Sequence, residues 1–262
     1  MTSNGGDARH EAFQVLVEDH TDRLEETLRV KVYDRELELS LLLKEDELAP
    51  LFSGAAWAGT LLWDAAAHLT KRFLVKYRDK LARADNTMGV IELGAGIGVP
   101  GMAARIAGAR HVVITEQDDL LELMHRNLAD NASVLRIGDV FPEAKHGAIH
   151  ARPLSWGTKE TTAYLDKHAD EPVDVILSCD CIYEPLYGKS WKELAETMEL
   201  LCVKYPHALV MMCVERRNED GIDKFLSFVE TNTQLQWTLE EETIGTENNP
   251  LQLYYLRLPT TN

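Results

Sequence analysis

The sequence predicts an α/β protein built on an open, doubly wound, mainly parallel sheet, and three features carry that prediction. Short apolar strands alternate with helical stretches from Val90 to Glu230. A glycine-rich turn, Gly94-Ala95-Gly96-Ile97-Gly98, follows the first of these strands. Two alternating segments, Gln234 to Glu242 and Leu251 to Leu258, flank the turn-rich Gly245-Thr246-Glu247-Asn248-Asn249-Pro250 and so close the chain as an antiparallel hairpin.

Taken in order, residues 8 to 26 have the polar, acidic character of a surface helix. Leu28 to Tyr33 alternates apolar and polar, and Glu36 to Leu41 answers it across Asp34-Arg35, which predicts an N-terminal β-hairpin. We take residues 1–45 as an extension carrying this hairpin and 46–262 as the main domain. From Gly59 to Leu81 the apolar residues Leu62, Ala65, Ala66, Leu69 and Phe73 fall at helical spacing. Val90 to Leu93 is the first parallel strand, and the helix from Pro100 to Ala107 opens with proline in its first turn. His111 to Thr115 is a strand and Asp118 to Ala129 a helix. Further strands lie at Ala148 to Leu154, Val173 to Cys179 and Ala208 to Val214, with helices at Lys189 to Val203 and Gly221 to Glu230.

Composition limits the function. The 262 residues are 45% apolar and 27% charged, with 43 acidic against 27 basic side chains and a net charge of −16. This describes a soluble globular chain of one large domain with an extension, or two small domains. An acidic surface disfavours a grip on nucleic-acid backbones. No apolar run approaches the roughly 18 residues of a membrane span, and Met1 to Asp7 has no signal-peptide core. A cytoplasmic monomer is therefore expected, with entry to the nucleus left open. Cys179, Cys181, Cys202 and Cys213 contain no C-x-x-C pair and read as buried small hydrophobes. His146 and His150 lack the glutamate of a helical zinc site and read as surface histidines, so no metal is expected.

The glycine turn admits two ligands. Gly96-Ile97-Gly98-Val99-Pro100-Gly101 fits G-x-G-x-x-G, and Glu116 stands where a ribose-binding acid belongs in a dinucleotide fold. Against a dinucleotide, Glu92 ends the preceding strand, where its carboxylate would repel a pyrophosphate drawn to the helix N-terminus. S-adenosylmethionine carries an ammonium, a sulfonium and one carboxylate but no phosphate, so a nearby acid can attract it. Glu116 would then accept from the ribose hydroxyls; its alternative role is a solvated helix cap.

Five segments in fixed order resemble the seven-β-strand methyltransferases, and more narrowly methyltransferase family 16. These are Trp63-Asp64-Ala65-Ala66, Glu92-Leu93-Gly94-Ala95-Gly96, Glu116, Leu154-Ser155-Trp156-Gly157 and Asp180-Cys181-Ile182-Tyr183. The resemblance covers residues 27 to 258. It implies a seven-stranded Rossmann-like sheet and S-adenosylmethionine as cofactor, bound by Trp63, Glu92, Gly94, Gly96, Glu116 and Trp156; backbone groups at Ser178 and Cys179, at the end of the fourth strand, are placed to touch the cofactor as well. It also implies a protein substrate methylated on lysine, of the chaperone or translation-factor kind. Trp63 and Trp156 could alternatively be core and loop anchors, and Trp57 has no matched position.

Methyl transfer from a sulfonium is an in-line displacement that needs a neutral, aligned nucleophile. A lysine with pKa near 10.4 costs roughly 4.6 kcal/mol to neutralise at pH 7. Asp180 is placed to receive the ammonium and Tyr183 to complete the rim; otherwise Asp180 caps the next helix. Cys181-Ile182 stands where base methyltransferases place two prolines, so a flipped nucleobase is disfavoured. Glu215-Arg216-Arg217 resembles the family's Y-E-x-R segment with Val214 in place of the aromatic. The two arginines either bind an acidic stretch of a target or pair with Glu219 and Asp220. A small-molecule N-methyltransferase and a non-catalytic cofactor-fold module are the competing functions.

Overall fold

The computed structural model describes residues 12–16, 27–41, 55–135 and 147–259. The chain begins with an antiparallel sheet of three strands, β1 (Phe13–Leu16), β2 (Thr27–Val32) and β3 (Arg35–Ser40), in the order β1-β2-β3. The expected helix over 8–26 lies outside the described residues except at its centre, and there the chain is β1. Phe13 is fully buried, so this segment is extended because its alternate side chains enter the core. The hairpin turn is Tyr33-Asp34 rather than Asp34-Arg35. Val32 pairs with Arg35, and a two-residue loop of this kind needs positive φ, which Tyr33 adopts at 54°.

After a 3-10 helix at Ala55–Thr60, α1 (Asp64–Leu81) begins five residues later than the periodicity predicts. Then come β4 (Gly89–Leu93), α2 (Val99–Ile106), β5 (His111–Glu116), α3 (Asp118–Asp130), a short α4 (Ala132–Leu135) and β6 (Ala148–Pro153). They are followed by α5 (Thr158–Lys167), β7 (Val175–Cys179), a short α6 (Glu184–Tyr187), α7 (Trp191–Lys204) and β8 (Leu209–Glu215). The chain closes with α8 (Ile222–Asn232), β9 (Gln236–Ile244) and β10 (Pro250–Arg257).

Seven of these strands form one sheet in the order β6-β5-β4-β7-β8-β10-β9, parallel as far as β8, with β10 antiparallel to both its neighbours. Burial on both faces explains the unbroken apolar strands. Val90, Val175, Leu177, Met211 and Cys213 face one core with Leu69 and Phe73 of α1, while Ile91, Ile176, Val210, Met212 and Val214 face the other with α7 and α8. Three of the four cysteines are buried, and all four are free thiols.

The three-stranded sheet joins the first core and is tied to α3 by side-chain amides. Asn127 exchanges hydrogen bonds with the backbone of Ser40, and Asn131 does so with Glu38. Four-residue spacing on the helix thus matches two-residue spacing on the strand, and the exposed edge of β3 is covered. Strand order reverses between β4 and β7, and the crevice at their carboxyl ends is where an open α/β sheet holds a ligand.

Candidate active site

A cavity of about 480 Å³ occupies that crevice, within the range of small-molecule sites. Trp63, Glu92, Gly94, Gly96, Glu116, Trp156, Cys179 and Asp180 all line it. Tyr183 does not; its ring centre lies 5.5 Å from the Arg217 guanidinium carbon, and Tyr187 and Leu186 of α6 stand in the cavity wall instead.

The glycine turn is shaped by close approach. Gly96 has φ +53°, and a β-carbon there would lie 2.6 Å from the carbonyl oxygen of Gly59. At Gly94, φ +60°, it would meet Cys181 Sγ at 2.7 Å and the Trp156 ring at 3.0 Å. Only glycine fits both the dihedral and the space. Gly59 itself carries no motif that the sequence reveals; a β-carbon there would meet Leu120 Cδ1 at 2.4 Å.

The two glutamates are both tied to backbone amides. Glu92 is 1% exposed, and its Oε2 accepts a 2.7 Å hydrogen bond from the Gly101 N–H in the first turn of α2. Burial raises its pKa to about 8. Repulsion of a pyrophosphate by a standing charge is weakened to that extent. What adds to it is occupancy: Glu92 takes the Gly101 amide and Glu116 Oε2 takes the Gly96 amide at 3.0 Å. Those are donors a phosphate would use. Glu116 also accepts from Gln117 N–H at 2.8 Å, and burial raises its pKa. With about four lone-pair sites on a carboxylate, it keeps acceptor capacity for two hydroxyls.

The opposite end of the cavity holds an ion cluster. Asp180 follows β7 with φ +52°, a conformation more accessible to aspartate than to most residues. It caps no helix. Its Oδ1 accepts from Glu215 N–H at 3.0 Å, and its Oδ2 accepts from Arg217 Nη2 at 2.8 Å. The same Nη2 donates to Glu215 Oε2. Glu215 is 4% exposed and also accepts from Asn249 at 2.7 Å. The Arg217 guanidinium carbon lies 5.3 Å from the Trp63 ring centre and 5.5 Å from that of Tyr183. Trp63 is fixed by donating Nε1–H to the Ala58 carbonyl at 2.8 Å. Burial raises the Asp180 pKa while Arg217 pulls it down. Arg216 instead pairs with buried Asp220 and with exposed Asp223.

Arg217 is the site residue that sequence reasoning left undecided. β7 and β8 are parallel neighbours, with Cys179 opposite Cys213. Asp180, just beyond β7, therefore meets Glu215 at the end of β8 and the Arg216-Arg217 that follows it, but only the turn after β8 selects which arginine points inward.

The model of a protein family described as lysine methyltransferase matches residues 43–232. The chain belongs to this family. Secreted RxLR effector protein 48 of Plasmopara viticola is 60% identical over 62% of this chain and 80% of its own length. Protein N-lysine methyltransferase METTL21A of Danio rerio is 30% identical over 54% of each chain. Protein-lysine N-methyltransferase rrg1 of Schizosaccharomyces pombe is 25% identical over 67% of this chain and 57% of its own. The chain thus spans little more than half the length of these two methyltransferases. A solved methyltransferase structure complexed with SAH shares the fold, with TM-score 0.50 at 10% identity over 91% of this chain and 58% of that one.

S-adenosylmethionine is the cofactor, and the cavity's chemistry fits it. The glycine turn leaves room that a β-carbon would fill, Glu116 retains acceptor capacity at the end of β5, and Trp156 offers a ring beside Gly94. When bound, the cofactor supplies an electrophilic methyl group. This lysine methyltransferase family member contributes a buried carboxylate, Asp180, in the wall of the same cavity.

Proposed function

We propose that this chain methylates the ε-amine of a lysine in a protein substrate. The observation that carries the reading is the cluster at the end of β7 and β8, where Asp180 lines the cofactor cavity and the rings of Trp63 and Tyr183 flank the cation it binds. Such surroundings suit an alkylammonium. Carboxylate oxygens hold its N–H bonds and aromatic faces attract its charge. Because burial raises the Asp180 pKa, the group takes up a proton more readily than an exposed aspartate, which eases formation of the neutral amine. Trp63, Glu92, Gly94, Gly96, Glu116, Trp156 and Cys179 serve the cofactor in this reading.

A protein acceptor is supported by the lysine-specific names of relatives such as METTL21A and rrg1, and we propose that it is of the chaperone or translation-factor class. We place the enzyme in the cytoplasm as a monomer. Four unpaired thiols suit a reducing compartment, whereas the Plasmopara relative carries secretion in its name, so cell fractionation is the check. The function itself is tested by incubating the purified chain with heavy-methyl S-adenosylmethionine and lysate. Mass spectrometry should find label on lysine of one or a few proteins. Label confined to small molecules would replace the reading with a small-amine methyltransferase. Cofactor binding without any label would leave a non-catalytic module.

A further inference from the structure

We propose that Arg217 and the acceptor's alkylammonium compete for one cation site, so that Arg217 is a displaceable plug between an outer basin and the cofactor cavity. The proposal rests on the amine-acceptor reading above and adds a residue that controls entry. Its position is the first argument. Trp63 and Asp180 line the cofactor cavity, whereas Arg217 lines a separate basin of about 730 Å³ together with Glu184, Pro185 and Asp220. The guanidinium therefore stands on the partition between the two spaces, touching the cavity wall through its own partners.

The second argument is charge. Asp180 and Glu215 are 9% and 4% exposed, and among the described residues Arg217 is the cation paired with both. Two buried carboxylates against one guanidinium leave a site that favours positive charge and tolerates exchange of one cation for another. The third argument is the pattern of donors. One nitrogen of Arg217, Nη2, donates to Asp180 Oδ2 and to Glu215 Oε2. A primary ammonium can donate two of its three N–H bonds to the same two oxygens. Its stem can lie where the guanidinium plane now lies, between Trp63 and Tyr183. Removing a partner from a buried ion cluster without replacement is costly, so Arg217 leaves only as another cation arrives. Neutral amides or acidic side chains would find the site closed, which makes Arg217 a selectivity device for cationic acceptors.

The test is binding of n-butylammonium chloride, measured by calorimetry against sodium chloride at equal ionic strength, so turnover does not enter. Arg217→Ala should bind n-butylammonium at least tenfold more tightly than the unaltered chain, with Arg217→Gln giving a smaller gain. Adding Asp180→Asn to Arg217→Ala should abolish that gain. Folded Arg217→Ala and Arg217→Gln chains without tighter binding would overturn the proposal, as would a gain that survives Asp180→Asn. If neither neutral variant folds, Arg217 is a fixed structural counter-ion and the plug is refuted. Lysine labelling by the unaltered chain with no n-butylammonium gain sinks the plug alone. A gain without labelling removes the methyltransferase reading and leaves the cation site.

Discussion

The two ends of the cavity use buried carboxylates in opposite ways. At the β4–β5 end, Glu92 has a single backbone N–H for a partner and burial drives its pKa to about 8. At the β7–β8 end, Asp180 is almost as deeply enclosed but is held by a guanidinium as well as a backbone N–H. Glu92 thus works as a clamp on the first turn of α2, and Asp180 works as the anion of an ion cluster. The lesson is that an acid's position in a motif leaves its charge undetermined. Its partners decide that, and they come from distant parts of the chain.

Substitutions can break this contrast, and the largest effect belongs to Asp180. Asp180→Ala should lower turnover by about 10²–10⁴-fold, the range for a lost acid–base or positioning group, while cofactor affinity by calorimetry stays near that of the unaltered chain. An equal fall in both would move Asp180 into the cofactor end. Gly96→Ala should come next. A φ of +53° and a 2.6 Å approach to the Gly59 carbonyl should cost about 2–3 kcal/mol in urea unfolding, in line with strained left-handed residues. Unchanged stability would mean that the turn can shift away from Gly59.

Glu116→Ala should weaken S-adenosylmethionine binding by roughly tenfold or somewhat more, from lost hydrogen bonds to a charged acceptor, with turnover at saturation little altered. An unaffected dissociation constant would return Glu116 to a cap of its own turn. The most gradual effect is a slope. Because the folded-state pKa of Glu92 lies above its unfolded value, near 4.5 against about 8, the native state holds the extra proton between those pH values. Stability should therefore fall as pH rises through that window, at no more than about 1.4 kcal/mol per pH unit. Glu92→Gln keeps an oxygen for the Gly101 N–H and should flatten the decline. Parallel pH profiles for the two chains would show that Glu92 is ionised throughout.

Much of the sheet was legible because apolar strands buried on both faces leave continuous runs, as at Val90 to Leu93 and Val173 to Cys179. The segment at 12–16 was not: its neighbours are polar, and it is a strand only because it pairs with β2. Helix α5 was missed for a similar reason, since Thr161 is its one buried residue and offers no apolar period.

At the site, the glycines were legible because a left-handed turn next to another backbone admits no other residue, and the acids were legible as positions after strands. The sequence by itself therefore determined the succession of strands and helices along the chain, the crevice and the positions of Trp63, Glu92, Gly94, Gly96, Glu116, Trp156, Cys179 and Asp180 in its wall, since strand periodicity and chain sterics mark the ends of the strands. Only the tertiary structure decided that Glu92 faces α2, that the Tyr183 ring meets Arg217, and that Arg217 rather than Arg216 reaches Asp180. Those outcomes depend on contacts between residues 9 to 37 positions apart in the chain, whose burial and charge are set by how strands come together.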